Sequence, residues 1–282
     1  MIETMGLLHP GAMGVSVGAA AKLAGVRVLW VSAGRGEATA ERAHEAGFED
    51  SGTLDVLIGE CDLIASVCPP YAALDLARTV AGAGFKGTYL DANAIAPQTA
   101  REVCAVIERT GGQAVDGGII GPPAHAPGTT RLYLSAEGAG AVARVFEGSP
   151  LQATPIAGQA GSASALKMCY AAWTKGSDAL LLAIRALAQA EGVDGPLLSE
   201  WRLSQPQLEQ RSASAASRNA YKAWRFVGEM QEIAASFAHQ SLPDGFHLAA
   251  ADTYARLEQF KDATEPPDLE AVVKQLLHRQ RG

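Results

Sequence analysis

Apolar positions change their period once along this chain. In the first half, short apolar runs alternate with amphipathic stretches. Residues 4–8, 27–31, 63–67, 87–91, 113–116 and 130–134 read as strands, and residues 15–24, 38–46, 72–81 and 97–110 as helices. Gly47 and the Pro69-Pro70 pair act as stops. Such alternation implies right-handed β-α-β units and a parallel sheet with helices on both faces. After about Gly158 the strand period disappears. Residues 162–191 form a long Ala- and Leu-rich stretch with Gly176 as its one interior break. Helical patterns follow at 198–218, 220–242, 248–259 and 268–281, separated by Pro243, Gly245 and Pro266-Pro267. The expected fold is α/β: a Rossmann-type doubly wound parallel sheet over residues 1–158, then a long interdomain helix opening an all-α domain over 159–282.

Composition narrows the function classes. Lys and Arg number 23 against 30 Asp and Glu, a net charge of −7 without basic clusters, which argues against a nucleic-acid partner. No run of eighteen apolar residues exists, so no membrane span is expected. The chain starts with a strand carrying Glu3 and shows no signal-peptide pattern, so a cytoplasmic location is expected. Cys61, Cys68, Cys104 and Cys169 lack any C-x-x-C or Cys/His spacing and read as reduced thiols, with no metal site.

The first apolar run ends in a turn, Leu8-His9-Pro10-Gly11-Ala12-Met13-Gly14, that leads directly into a helix. Unpaired N–H groups at a helix N-terminus, with the positive end of its dipole behind them, suit a pyrophosphate. Gly11 and Gly14 hold the second and third positions of a G-x-G-x-x-G fingerprint. Gly11 would let the backbone approach the phosphates, and Gly14 would let helix and strand pack closely. His9 stands where the first glycine is usual, and Pro10 beside it fixes φ. The end of the second strand decides between cofactors. An NAD site places an acidic residue there for the ribose 2′-hydroxyl. Here Ser32 and Arg35 stand instead, a hydroxyl and a guanidinium suited to a 2′-phosphate, which favours NADP over NAD. The bland alternative is that Arg35 is a solvated loop residue. Cys68, Pro69 and Pro70 end the next strand and should flank the cofactor, with Cys68 as a packed side chain rather than a nucleophile.

These motifs resemble the β-hydroxyacid dehydrogenase superfamily, which includes 3-hydroxyisobutyrate and 6-phosphogluconate dehydrogenases and the related imine reductases. The opening turn resembles that superfamily's Gly-x-Met-Gly ending. Residues 91–97 (DANAIAP) resemble its Asp-x-Ser-Thr element, with Asn93 where Ser is usual. Residues 116–122 (DGGIIGP) resemble its substrate loop, with Ile120 where Ser is usual. Gly128-Thr129-Thr130 and Leu132-Tyr133-Leu134 resemble the strand that follows, and residues 158–167 (GQAGSASALK) the segment opening the interdomain helix. The HPG turn and the tail at 246–262 (FHLAAADTYARLEQFKD) resemble bacterial relatives grouped with the phosphogluconate dehydrogenase C-terminal-like domain.

The resemblance implies an active-site cleft between the two domains, a homodimer paired through the helical domain, and Lys167 as general acid/base. Asn93 counts as both a cofactor and a substrate contact, and Gly121 as a substrate contact; Tyr170 either offers the substrate a hydroxyl or simply packs, and Thr174 is a candidate substrate contact because it falls on the Lys167 face by helical spacing. Ala171 stands where the superfamily carries a substrate-orienting Asn, so the substrate grip differs. Asp178 falls on the Lys167 face by helical spacing, with Lys175 two turns on. In the helical half, Trp224, Phe226, Met230 and Phe237 read as core or dimer contact, and Glu229 and Glu232 as a solvated face. His239 and His247 flank the turn at Pro243, and Lys261-Asp262 echoes the superfamily's C-terminal Lys-Asp element. The expected function is an NADP-dependent oxidoreductase acting on a small polar hydroxy acid or related alcohol or carbonyl. The alternatives are an imine reductase, against which Lys167 argues, and a non-catalytic NADP-binding sensor.

Overall fold

The structure, a computed structural model, describes residues 2–261 and 263–278. Contacts divide the chain into two compact units, residues 1–168 and 169–282.

The first unit is built on eight strands: β1 (Thr4–Leu7), β2 (Arg27–Trp30), β3 (Glu49–Asp50), β4 (Leu63–Ser66), β5 (Thr88–Asp91), β6 (Gln113–Ile120), β7 (Thr130–Ser135) and β8 (Leu151–Pro155). Their order in the sheet is β3-β2-β1-β4-β5-β6-β7-β8. The first six run parallel, and the order reverses between β1 and β4, where this architecture binds ligands beyond the carboxyl ends of its strands. Helices α1 (Ala12–Leu23), α2 (Glu37–Glu45), α3 (Leu54–Glu60), α4 (Ala73–Gly82), α5 (Pro97–Arg109) and α6 (Ala139–Arg144) connect them.

Side chains alternate across the pleat, so each strand feeds two cores. Met5, Leu7, Val28, Trp30, Leu63, Ala65, Leu90 and Val115 join Val17, Ala20 and Ala21 of α1 on one face. Leu8, Leu29, Ile64, Tyr89 and Ala114 join Leu57, Val80, Val103 and Ile107 of the opposite helices. This double burial explains the near-continuous apolar runs in the sequence.

Two departures from the expected fold concern the sheet. β7 pairs antiparallel with β6, in register Asp116 with Ser135 through Ile120 with Arg131. The connection, residues 121–129, holds no helix, so the chain turns back on itself. Strands β3 and β8 and helices α3 and α6 went unread, because β3 is two acidic residues and β8 is a half-exposed strand ending in Pro155.

Helix α7 (Ser162–Ala190) gives its first turns to the first unit. The second unit also contains α8 (Asp194–Ser204), α9 (Leu208–Asn219), α10 (Ala223–His239), α11 (Gly245–Ala255) and α12 (Leu269–Leu277). The stretch read as one helix over 198–218 is two, broken at Gln205-Pro206 because proline supplies no N–H and clashes with the preceding turn. The helix read over 220–242 begins with a 3-10 turn at Ala220–Lys222. The end of the helix read over 268–281 lies outside the described residues, while Asp268 caps α12 by accepting the Ala271 N–H at 2.8 Å.

Candidate functional site

The turn between β1 and α1 lies at the strand-order reversal. The Gly11 N–H donates to the His9 carbonyl at 2.8 Å, and the Gly11 carbonyl receives the Val15 N–H at 2.8 Å. A side chain on Gly14 would lie 2.1 Å from the His9 carbonyl oxygen, so glycine alone lets α1 start this close to the strand. Gly11 is different. Its φ of −71° and ψ of −179° suit any residue, yet a Cβ there meets nothing within 4 Å. The N–H groups of Ala12, Met13 and Gly14 have no intrahelical acceptor, and none finds another among the described residues. An open space faced by unpaired donors and the positive end of a twelve-residue helix suits an anion.

His9 and Arg35 border this seat. Leu8 is buried and ties its N–H to the Ala65 carbonyl at 3.3 Å, while the Pro10 carbonyl accepts from Arg42 Nε at 3.2 Å. Nδ1 of His9 and Nε of Arg35 are both buried without a hydrogen-bond partner. Burial, then the nearby Arg35 charge, pushes the His9 pKa down to about 4, so the ring is neutral at neutral pH. Burial also lowers the Arg35 pKa, and its charge acts on Cys68 at the end of β4 as well as on His9. The half-buried Ser32 makes no side-chain hydrogen bond among the described residues, and its carbonyl receives the Arg35 N–H at 3.0 Å.

The ends of β4 and β5 are latched together. Asn93, 2 % exposed, accepts the Cys68 N–H at 2.6 Å through Oδ1. Its Nδ2 donates to Ser66 Oγ at 3.0 Å and to Asp91 Oδ2 at 2.8 Å, and its own N–H donates to Asp91 Oδ1 at 3.1 Å. Asn93 therefore holds the Cys68-Pro69-Pro70 turn in place. Burial pushes the Cys68 thiol up to about 11, which keeps it protonated and a poor nucleophile. Asp91 is fully buried. That burial raises its pKa to about 7, opposed by the Asn93 hydrogen bonds and the Lys167 charge and reinforced by Asp116.

The depressed His9 and the raised Asp91 oppose each other in stability. The unfolded His9 takes up a proton near its ordinary 6.5 while the folded ring resists it to about 4, so its contribution falls as pH drops through that window. Asp91 holds its proton up to about 7 when folded, so its contribution is present below 4 and is lost as pH rises toward 7. The variant His9→Gln should remove the first effect. Relative to it, the native chain should lose about 1–2 kcal/mol between pH 6.5 and 4, after allowance for solvent screening of a partly exposed ring. Urea unfolding midpoints across that range measure this, and parallel curves for the two proteins would show that His9 titrates normally.

One strand over, Asp116 anchors α7. Its Oδ2 accepts from Ser135 Oγ at 2.9 Å, Ala163 N–H at 2.9 Å and Ser164 N–H at 3.1 Å, and its Oδ1 from Ser164 Oγ at 2.5 Å. Gly118 lets the helix lie against β6, since a Cβ there would sit 2.6 Å from the Ala163 carbonyl and 3.2 Å from Lys167 Cβ. Half-buried Lys167 is thereby fixed one turn beyond the anchor, with its charge reaching Asp91. Burial, then the Asp91 charge, pushes the Tyr89 hydroxyl well above its ordinary pKa.

The structure thus gathers Leu8 through Met13, Ser32, Arg35, Cys68, Pro69, Pro70, Asn93 and Lys167 into the first unit. Gly121 closes the β6–β7 turn at φ +127°, where a Cβ would strike the Thr129 carbonyl at 2.3 Å, so its glycine is explained by the turn itself. Tyr170 is 49 % exposed and Thr174 bonds the Tyr170 carbonyl, both in the second unit. Several expectations there are corrected. Glu229 is not solvated but pairs with Lys175 at 2.7 Å, and Lys175 also lies 5.0 Å from the Phe226 ring centre. Asp178 is buried against Arg211 and Asn219. His247 is buried beside the Phe237 ring, at 4.3 Å. Trp224 is 41 % exposed, outside the core, with Arg225 and Lys261 over its ring. Asp262 lies outside the described residues. Sequence reasoning missed Ser66, Ser135 and Ser164 as buried ties. The available signal was a serine inside an otherwise apolar run. Among the described residues, no group of three His, Cys, Asp or Glu could hold a metal ion, and no helix is long and apolar enough to cross a membrane.

Comparison with known proteins bears on this geometry. Residues 188–257 match a domain of unknown function, DUF1932. An uncharacterized 28.5 kDa protein of Methanothermus fervidus is 28 % identical over 165 residues, a stretch spanning 58 % of this chain and 63 % of that protein. Among solved structures, a conserved protein of unknown function, described as structurally similar to 3-hydroxyacid dehydrogenases, is 25 % identical. It superposes with a TM-score of 0.68, over 92 % of this chain and all of that one. The 3-hydroxyisobutyrate dehydrogenase of Mycobacterium tuberculosis, solved with L-serine, gives 0.71 at 20 % identity over 99 % of this chain and all of that one. The imine reductase of Myxococcus stipitatus, a variant in complex with NAD+, gives 0.57 at 20 % identity over 99 % of this chain and all of that one.

Proposed function

We propose that this chain, 3-hydroxyisobutyrate dehydrogenase-like in its fold, is a nicotinamide-dependent oxidoreductase. The observation that carries the reading is the open space at Gly11, faced by the unpaired N–H groups of Ala12, Met13 and Gly14. The cofactor's pyrophosphate fits that seat, and when bound the nicotinamide accepts or donates a hydride at the substrate carbon. Two relatives in fold, a 3-hydroxyisobutyrate dehydrogenase and an imine reductase in complex with NAD+, support the assignment.

The chain's own residues supply the rest. Arg35 and Ser32 offer cationic and hydroxyl donors without an acidic residue at the end of β2, which favours NADP over NAD. Asn93 holds the Cys68-Pro69-Pro70 turn rigid where the reacting ring would lie. Lys167 gives or takes the hydroxyl proton of the substrate, its charge acting on the buried Asp91 carboxyl. A small polar hydroxy acid, or the corresponding carbonyl compound, is the substrate class. Lys167 also argues for hydroxyl over imine chemistry, because an ammonium at this point polarises a carbonyl oxygen.

The helical unit carries an exposed apolar stripe on α7: Tyr170 at 49 %, Trp173 at 67 %, Leu180 at 57 % and Leu187 at 62 %. We assign it to pairing with a second copy in a homodimer. Sedimentation equilibrium should give twice the chain mass for the native protein and the single mass for Trp173→Asp.

The reading is tested by titrating the protein with NADPH and NADH, then following reduced-nicotinamide absorbance over a panel of hydroxy acids, keto acids and imines. Tighter NADPH binding with turnover of a hydroxy acid supports it. Tight binding with no turnover on any panel member favours a sensor, and turnover confined to imines favours the imine reductase reading.

A further inference from the structure

The second unit holds a concavity of about 420 Å³, lined by Tyr221, Lys222, Trp224, Arg225 and Lys261. It lies where the 3-10 turn Ala220–Lys222 enters α10, against the end of a second 3-10 turn at Glu258–Phe260. Among the described residues, two aromatic rings and three cations make up the lining. The cations hold the rings by their faces: Lys261 Nζ lies 4.8 Å and the Arg225 guanidinium carbon 5.0 Å from the Trp224 ring centre, and Lys222 Nζ lies 5.2 Å from that of Tyr221.

The charge arrangement is unfavourable as it stands. Among the described residues, none of Lys222, Arg225 and Lys261 has a carboxylate within ion-pair distance, in a protein whose acidic residues outnumber its basic ones 30 to 23. Lys222 and Arg225 also stand at the N-terminus of the seventeen-residue α10, whose first turn carries no acidic residue. A helix N-terminus is the positive end of its dipole and is stabilised by anions, not cations. Three like charges and a positive helix end therefore converge on one cavity, with no carboxylate among the described residues in ion-pair reach to neutralise them. Elsewhere in the same unit the chain does pair its cations: Arg185 with Asp194, Arg202 with Glu209 and Arg256 with Asp252.

We infer that this cavity is a binding site for a small polyanion, a phosphorylated or polycarboxylated metabolite, whose charges bridge Lys222, Arg225 and Lys261. The inference stands on the second unit alone and does not rest on the dinucleotide reading. Arg225 supplies a planar fork for two oxygens of one anionic group, and the two lysines supply point charges for the others. Trp224 lies between two of the three cations, so its fluorescence reports on occupancy.

The probes are pyrophosphate and citrate, titrated into the full chain at fixed ionic strength while tryptophan fluorescence is followed. The variant Trp224→Phe identifies the signal among the four tryptophans. Saturable quenching is expected in the native protein, absent in Trp224→Phe, with at least tenfold weaker binding in Arg225→Gln and in Lys222→Gln. Pyrophosphate above citrate would assign a phosphate ester, and the reverse a polycarboxylate. All three lining cations are exposed or half-buried, so the glutamine variants keep the fold, which far-UV circular dichroism checks. No saturable response, equal affinity in the variant lacking all three charges, or displacement of the probe by NADPH in simple competition would each overturn the inference.

Discussion

Replacing Lys167 by alanine should lower kcat about a hundred- to ten-thousand-fold on whichever hydroxy acid or carbonyl compound the protein turns over, the span expected for loss of a positioned acid/base. Cofactor affinity should change little, because the phosphate seat lies at the α1 terminus. The physical reason is local. Gly118 brings the first turns of α7 against β6, Asp116 fixes their start, and the lysine then stands one turn on, within the field of a buried carboxyl whose pKa is near 7. Lys167→Arg keeps the charge but cannot release a proton, so it should fail nearly as badly. Steady-state rates against pH provide the check. Native-like kcat in Lys167→Ala would remove this residue from the chemistry and leave the fold untouched.

Asp116→Ala should be the most destabilising single change in the first unit. It would leave two serine hydroxyls and the Ser164 N–H without their acceptor in a fully buried place, leave the Ala163 N–H with Ser135 Oγ alone, and remove the negative charge at the start of a 29-residue helix. A loss of about 3–5 kcal/mol is expected from orphaned buried donors and a lost helix-end charge. Asp116→Asn, of the same shape, keeps one acceptor oxygen and should lose roughly half as much. Urea unfolding followed by far-UV circular dichroism measures both. A loss below about 1 kcal/mol for the alanine variant would mean that water or a shifted helix satisfies those donors.

The fold of the first unit was legible because its strands are buried on both faces and its punctuation is strong: Gly11-Ala12-Met13-Gly14 after β1, Pro69-Pro70 after β4, Pro97 opening α5. What stayed hidden depended on partners distant in sequence. The reversal into β7 follows from a nine-residue connection too short for a crossover helix, a constraint invisible without the pairing. The two-residue β3 exists only because Leu29 and Trp30 offer it an edge. In the site, Asn93 showed only that a superfamily serine was missing. Its four hydrogen bonds reveal that it ties one turn to another from a buried position. Asp116 read as part of a substrate loop, yet its carboxylate is spent on the N-terminus of α7, 47 residues away in sequence. Trp224 read as core or dimer contact, because aromatic residues at helical spacing usually are one or the other. The two cations over its ring, Arg225 and Lys261, could be seen only in three dimensions.

The central claim is that the α1 turn seats a dinucleotide. Gly11→Leu tests it cleanly, because the backbone there suits any residue and a side chain would enter open space, so the substitution should cost less than about 1 kcal/mol of stability. On this account that space holds the pyrophosphate. Titration of NADPH, followed by the fluorescence of the reduced nicotinamide, should show saturable binding to the native chain and a loss of at least tenfold in Gly11→Leu with unfolding unchanged. Equal binding by the two proteins, or none by either, would contradict the account.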